Sequence, residues 1–123
     1  VMRPGSLAII LCDERALSDS AEQQLTLLSR HCDLLLLPLS DPLDHALPAA
    51  GLLRFADRGA HLELDTLNAD LRQSYRAQGE ARQARWELLA QKLRVLMMPL
   101  STQREMVEQL REYLNGQRPV KQP

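Results

Sequence analysis

The sequence predicts an α/β domain: a parallel sheet flanked by helices, with a β-hairpin inserted. Three apolar runs, Ser6–Cys12, Leu34–Leu39 and Val95–Leu100, have strand length and end in polar residues, and stretches of helical period lie between them. Strand, helix and strand within the first third of the chain make a βαβ unit, whose crossover is expected to be right-handed. The 123 residues, 45% apolar and 25% charged, suit one soluble core.

Ser6–Cys12 is too short and too apolar for a surface helix and reads as a strand buried on both faces. Asp19-Ser20-Ala21-Glu22 has the form of a capping box. Ala21, Leu25 and Leu28 then recur at helical spacing, which carries the helix to about His31. Leu34–Leu39 is the second strand, stopped by Ser40-Asp41-Pro42. Leu53 and Phe55 alternate with polar neighbours, as do Leu62 and Leu64. Leu52–Asp65 is therefore a hairpin at the sheet margin, turning through a three-residue loop at Asp57-Arg58-Gly59. From Thr66 to about Arg94 the pattern is helical, with Leu67, Leu71 and Tyr75 on one face, followed by Trp86, Leu89 and Leu93. Gly79 marks a bend, because glycine costs about 1 kcal/mol relative to alanine inside a helix. Val95–Leu100, with Met97 and Met98 in the core, is the third strand. Thr102-Gln103-Arg104-Glu105 is a second capping box, opening a helix that buries Met106, Val107, Leu110 and Leu114 before Gly116 caps it. The domain spans residues 1–116 and a disordered tail covers 117–123.

Charge nearly cancels, 15 basic against 16 acidic residues, so no bulk field favours nucleic acid. Aromatic residues are 3% of the chain, too few for base-stacking platforms. No apolar run has the roughly 18–20 residues of a membrane helix, so no membrane contact is expected from this segment. The opening Val1-Met2-Arg3-Pro4 has neither a leader nor an initiator Met and reads as the start of a fragment. Cys12 and Cys32 fall at opposite ends of strands roughly 20 Å long. Reduced thiols and a cytoplasmic setting follow.

In an open parallel sheet, ligands bind outside the carboxyl ends of the strands. Those ends carry Asp13-Glu14, Ser40-Asp41 and Ser101-Thr102, with Asp44 and His45 close behind. Such an oxygen-rich rim suits a hard cation such as Mg²⁺. No G-x-G-x-x-G, Walker A, G-x-S-x-G or H-E-x-x-H word occurs in the sequence. His31 and Cys32 lack a second ligand pair at zinc spacing and read as a helix end. Arg72, Arg76, Arg82 and Arg85 stud the long helix, either as a solvated face or as a docking surface for an acidic partner.

Read together, several words take the inference further. Arg3-Pro4-Gly5-Ser6 leads into Leu7–Cys12 and Asp13. Asp41-Pro42-Leu43 and Leu47-Pro48-Ala49-Ala50-Gly51 follow. The hairpin, Leu64-Asp65-Thr66, the Arg-studded helix and Pro99-Leu100-Ser101-Thr102 complete the set. In this order and spacing they resemble the C-terminal half of the bacterial "domain of unknown function fifty-eight" family, which is related to von Willebrand factor A domains. The resemblance implies a doubly wound, Rossmann-like fold of which this chain supplies the later strands. It also implies a Mg²⁺ site built from a D-x-S-x-S loop, a Thr and an Asp after the fourth strand. Asp13 matches that Asp, but the D-x-S-x-S loop does not occur in these residues. Mg²⁺ is thus expected only in the full-length protein, where an upstream membrane anchor is also allowed for. Members of the family are encoded beside MoxR-type AAA+ ATPases and other von Willebrand A proteins.

The expectation is a protein-interaction module, an adaptor for a MoxR-type ATPase rather than an enzyme, with Arg72, Arg76, Arg82 and Arg85 as its docking face. The competing expectation is a Mg²⁺-dependent hydrolase using Asp13, Asp41, His45 and Ser101. A homodimer covering an open sheet edge is the third.

Overall fold

A computed structural model describes residues 3–116, so the tail expected at 117–123 lies outside the described residues. Strand β1 (Leu7–Asp13) leads through a 3-10 turn into helix α1 (Asp19–Ser29), and β2 (Asp33–Ser40) follows. The hairpin β3 (Leu52–Asp57) and β4 (Ala60–Asp65) precedes the long helix α2 (Ala69–Leu93). Two short strands, β5 (Leu96–Met97) and β6 (Leu100–Ser101), and helix α3 (Met106–Leu114) complete the chain. In the main sheet β2 is central, parallel to β1 on one side and to β5 and β6 on the other. The parallel sheet predicted from the three apolar runs is therefore present, with helices against it.

The hairpin is a separate two-stranded sheet rather than a strand pair at the margin of the first. Its register, Leu53 opposite Leu64 and Phe55 opposite Leu62, gathers the apolar residues on one face, as their alternation predicted. The turn is tighter than expected. Asp57 pairs with Ala60, so only Arg58 and Gly59 form the loop, both at positive φ (49° and 83°) as a type I′ turn demands.

Ser18, not Asp19, caps α1: its Oγ accepts the Ala21 N–H at 3.1 Å, and the helix starts at Asp19, one residue earlier than expected. Helix α2 begins at the Asn68 cap, so Leu67 lies outside it and is exposed. Glu105 caps α3 through its carboxylate, which accepts the Val107 and Glu108 N–H groups. That start turns Met106, Leu110 and Tyr113 toward the sheet and leaves Val107 and Leu114 exposed, contrary to the expected stripe.

Helices α1 and α2 cover one face of the sheet. Leu25, Trp86 and Leu89 pack there against Ala8, Leu34 and Leu36, and Leu36 is fully buried. Helix α3 covers part of the other face, over Leu35, Leu37, Leu39 and Leu100. It does not reach across β1. Leu7, Ile9 and Leu11 remain 57–63% exposed, as does Leu96 at 63% on the far side of β2. The expectation that β1 is buried on both faces is thus corrected: only Ala8, Ile10 and Cys12 point into the packed side.

The third strand is split, and the reason is visible in β2. Leu36 O accepts Met98 N–H and Ser40 O accepts Thr102 N–H, so alternate residues of β2, Pro38 among them, face the third strand. Proline has no N–H to give there. Continuing the register places Pro38 opposite Pro99, in the gap between β5 and β6.

Candidate functional site

Parallel pairing puts Asp13 opposite Leu39 and Ser40 opposite Ser101, so the polar strand ends do share one border. Asp41 is held there on two sides: Thr102 Oγ1 donates to Oδ2 at 2.5 Å and the Leu43 N–H donates to Oδ1 at 2.9 Å. Asp44 returns the favour by accepting the Asp41 N–H at 2.8 Å, which closes a capping box around the turn Pro42–Asp44. The Thr102 hydroxyl first, and the Leu43 amide second, lower the Asp41 carboxyl below its usual 3.8. A lowered folded-state value stabilises the fold above the unfolded value and loses that contribution as pH falls through the folded one. Asp41→Asn should therefore lose stability near neutrality, where the contribution is fully present, and flatten the acid limb below pH 3.8, where wild type loses it too. Denaturant melts at stepped pH read this, and an unchanged acid limb counts against it.

The centre of the border is Glu14, only 5% exposed although charged. Asp13 caps the turn that carries it, accepting the Arg15 N–H at 2.7 Å. His45 Nε2 lies 3.0 Å from Glu14 Oε2, and Arg82 Nε lies 3.6 Å from Oε1. The Trp86 indole N–H donates to the Glu14 carbonyl at 2.8 Å. Arg82 also donates to the Asp44 carbonyl at 2.5 Å, and Arg15 pairs with the Asp44 carboxylate at 2.5 Å. The β1 turn, the Pro42–Asp44 turn and α2 are thus joined by charge. Glu14 Oε1 and Arg82 Nε are buried and have no hydrogen-bond partner. They face each other as charges slightly beyond bonding range.

Gly79 explains how the pieces come so close. Helix α2 runs unbroken through it. A Cβ at Gly79 would stand 3.0 Å from His45 Cα and 3.1 Å from the Asp44 carbonyl oxygen. The absent side chain is what admits the turn, and the Tyr75 hydroxyl pins that turn again by donating to the Leu43 carbonyl.

The other predicted residues fall as follows. Asp13 and Asp41 lie on the border, and Ser101 Oγ accepts the Gln103 N–H at 3.2 Å. Among the described residues no three His, Cys, Asp or Glu side chains converge as cation ligands, so Asp13 has no companion set here. Arg72 donates to the Thr66 carbonyl, Arg82 joins the Glu14 cluster, and Arg85 bonds both Asp19 and Glu22 of α1. Three of the four arginines thus tie α2 to its own chain, while Arg76 is exposed on the helix. Cys12 and Cys32 are free thiols. Burial, and then the neighbouring Asp13 charge, raise the Cys12 thiol above its usual 9.0, which keeps it protonated and unreactive at neutral pH.

Sequence reasoning noted Glu14 only as the neighbour of Asp13. The overlooked signal was on α2, where Arg82, Trp86 and Gly79 lie within two turns: a cation, an indole donor and a missing side chain directed at one place.

Residues 2–85, more than half of the chain, match the family described as "Protein of unknown function DUF58". Neither a curated protein nor a solved structure matches the chain.

Proposed function

The chain belongs to the DUF58 family, and from that premise we propose that it is a protein-interaction module, an adaptor for a MoxR-type AAA+ ATPase. In this reading the sheet is the later part of a Rossmann-like, von Willebrand factor A-like domain. The observation that carries the reading is the apolar surface left open on β1. Leu7, Ile9 and Leu11 line up at more than half exposure. An apolar row of this kind is characteristic of a protein contact site.

The rim favours this over hydrolysis. Asp41 is engaged by Thr102, Asp44 by Arg15, and Glu14 by His45 and Arg82. In this reading those bonds serve to join the turns to α2. Asp13 remains this chain's one proposed contact to Mg²⁺, with the other ligands coming from elsewhere in a longer protein. A cytoplasmic setting accompanies the two free thiols.

The test is a binding measurement against a purified MoxR-type AAA+ ATPase, using wild type and Arg76→Glu. Arg76 is the informative arginine, since reversing Arg72, Arg82 or Arg85 would break internal bonds. Binding by wild type that weakens in Arg76→Glu supports an adaptor docking through α2, whereas no binding by wild type removes the ATPase. Mg²⁺-dependent turnover of a phosphate ester, lost in Asp13→Ala, would replace the interaction reading with the hydrolase.

A further inference from the structure

We infer that α3 guards the outer edge of the third strand. Gln109 and Tyr113 take the hydrogen bonds that a further strand would make, so the sheet accepts no strand beyond β6 while α3 is docked. The device lies within this chain and is independent of any ATPase partner.

Met98 N–H donates to Leu36 O at 2.8 Å, and Thr102 N–H donates to Ser40 O at 3.0 Å. Alternate residues of a strand direct their backbone groups to the same side, so Leu100 also faces β2 while Pro99 and Ser101 face away. An uncovered edge of this kind is a template for another strand. Proline has no N–H, which leaves three outward groups on these two residues: the Pro99 carbonyl, the Ser101 N–H and the Ser101 carbonyl. All three are met from α3. Ser101 N–H donates to Gln109 Oε1 at 2.8 Å, and Gln109 Nε2 donates back to Ser101 O at 2.8 Å. The Tyr113 hydroxyl donates to the Pro99 carbonyl at 2.8 Å.

A side-chain amide carries the same donor and acceptor as a peptide group, and Gln109 engages Ser101 through both, as a residue of an antiparallel strand would. The spacing matches as well. Gln109 and Tyr113 are one turn apart, about 6 Å along the helix, and Ser101 and Pro99 are about 6.6 Å apart along the strand. Gln109 is only 4% exposed, and its third bond goes to the Arg104 carbonyl at 3.1 Å. Burial, ahead of the Glu112 charge, raises the Tyr113 hydroxyl above its usual 10.0, so it remains a donor through neutral pH. Met106 and Leu110 already fasten α3 to the face of the sheet. A methionine at position 109 would fill the same space, so what the amide adds is closure of the edge.

Site-resolved amide exchange and sedimentation test this on wild type, Gln109→Met, and Gln109→Met combined with Tyr113→Phe. In wild type the Ser101 amide should exchange slowly although it faces away from β2. Gln109→Met should speed it about tenfold while Met98 and Thr102 keep their rates. The double variant should associate with rising concentration more than wild type does. Adding Ser101→Pro, which removes the outward donor, should return it to wild-type behaviour. Fast exchange of Ser101 in wild type overturns the inference, as does equal acceleration of all three amides in Gln109→Met. Association of the double variant no greater than wild type overturns it too, as does association that survives Ser101→Pro. Should the double variant fail to fold, the exchange pattern of Gln109→Met decides alone.

Discussion

Replacing Arg82 with Met is expected to cost about 3–5 kcal/mol, because it leaves the buried Glu14 carboxylate with His45 alone. The penalty comes from stranding a charge, not from the strength of the ion pair itself. At 3.6 Å, with neither Glu14 Oε1 nor Arg82 Nε hydrogen-bonded, that pair contributes little direct bonding. The double replacement Glu14→Met, Arg82→Met removes both charges and keeps their volume. It should therefore be more stable than Arg82→Met by about 2 kcal/mol. Urea melts of the two singles and the double close the cycle. Additive losses would show that Glu14 and Arg82 do not sense each other.

Trp86→Ala is the second large effect, an expected loss of about 3–5 kcal/mol. The indole is 2% exposed in the cluster with Leu34, Leu36 and Leu89, and its N–H is the donor to the Glu14 carbonyl. Trp86→Phe separates the two roles. It retains most of the apolar contact and leaves the carbonyl unmet, which costs about 1–3 kcal/mol. If Phe were as damaging as Ala, the hydrogen bond and not the packing would hold α2 to the sheet. If Phe were neutral, the bond to Glu14 would carry no stability.

The parallel sheet was legible because a short apolar run bounded by polar residues has few other ways to fold. What covers such a run is not written in it. Leu7, Ile9 and Leu11 are as apolar as Leu35 and Leu37, and the difference in burial comes from where α3 lies, a tertiary fact. Helix ends were legible to within a few residues. Ser18 and Asp19 are both good caps, and only backbone geometry chose Ser18. The arginines of α2 show the same limit: their spacing marks a face, but the partners of Arg82 and Arg85 lie on β1, α1 and their turns. Glu14 was the least legible. Its His45 contact spans 31 residues, and nothing local distinguishes it from the exposed Asp13 beside it.

Amide hydrogen exchange along β1 tests the open edge most directly. In dilute solution Ala8, Ile10 and Cys12 should exchange slowly, being bonded to β2, while Leu7, Ile9, Leu11 and Asp13 exchange rapidly. On adding a partner that engages β1, the second set alone should slow. Equal protection of both sets at every dilution would mean that the edge is already covered from within the chain, and the account built on β1 would be wrong.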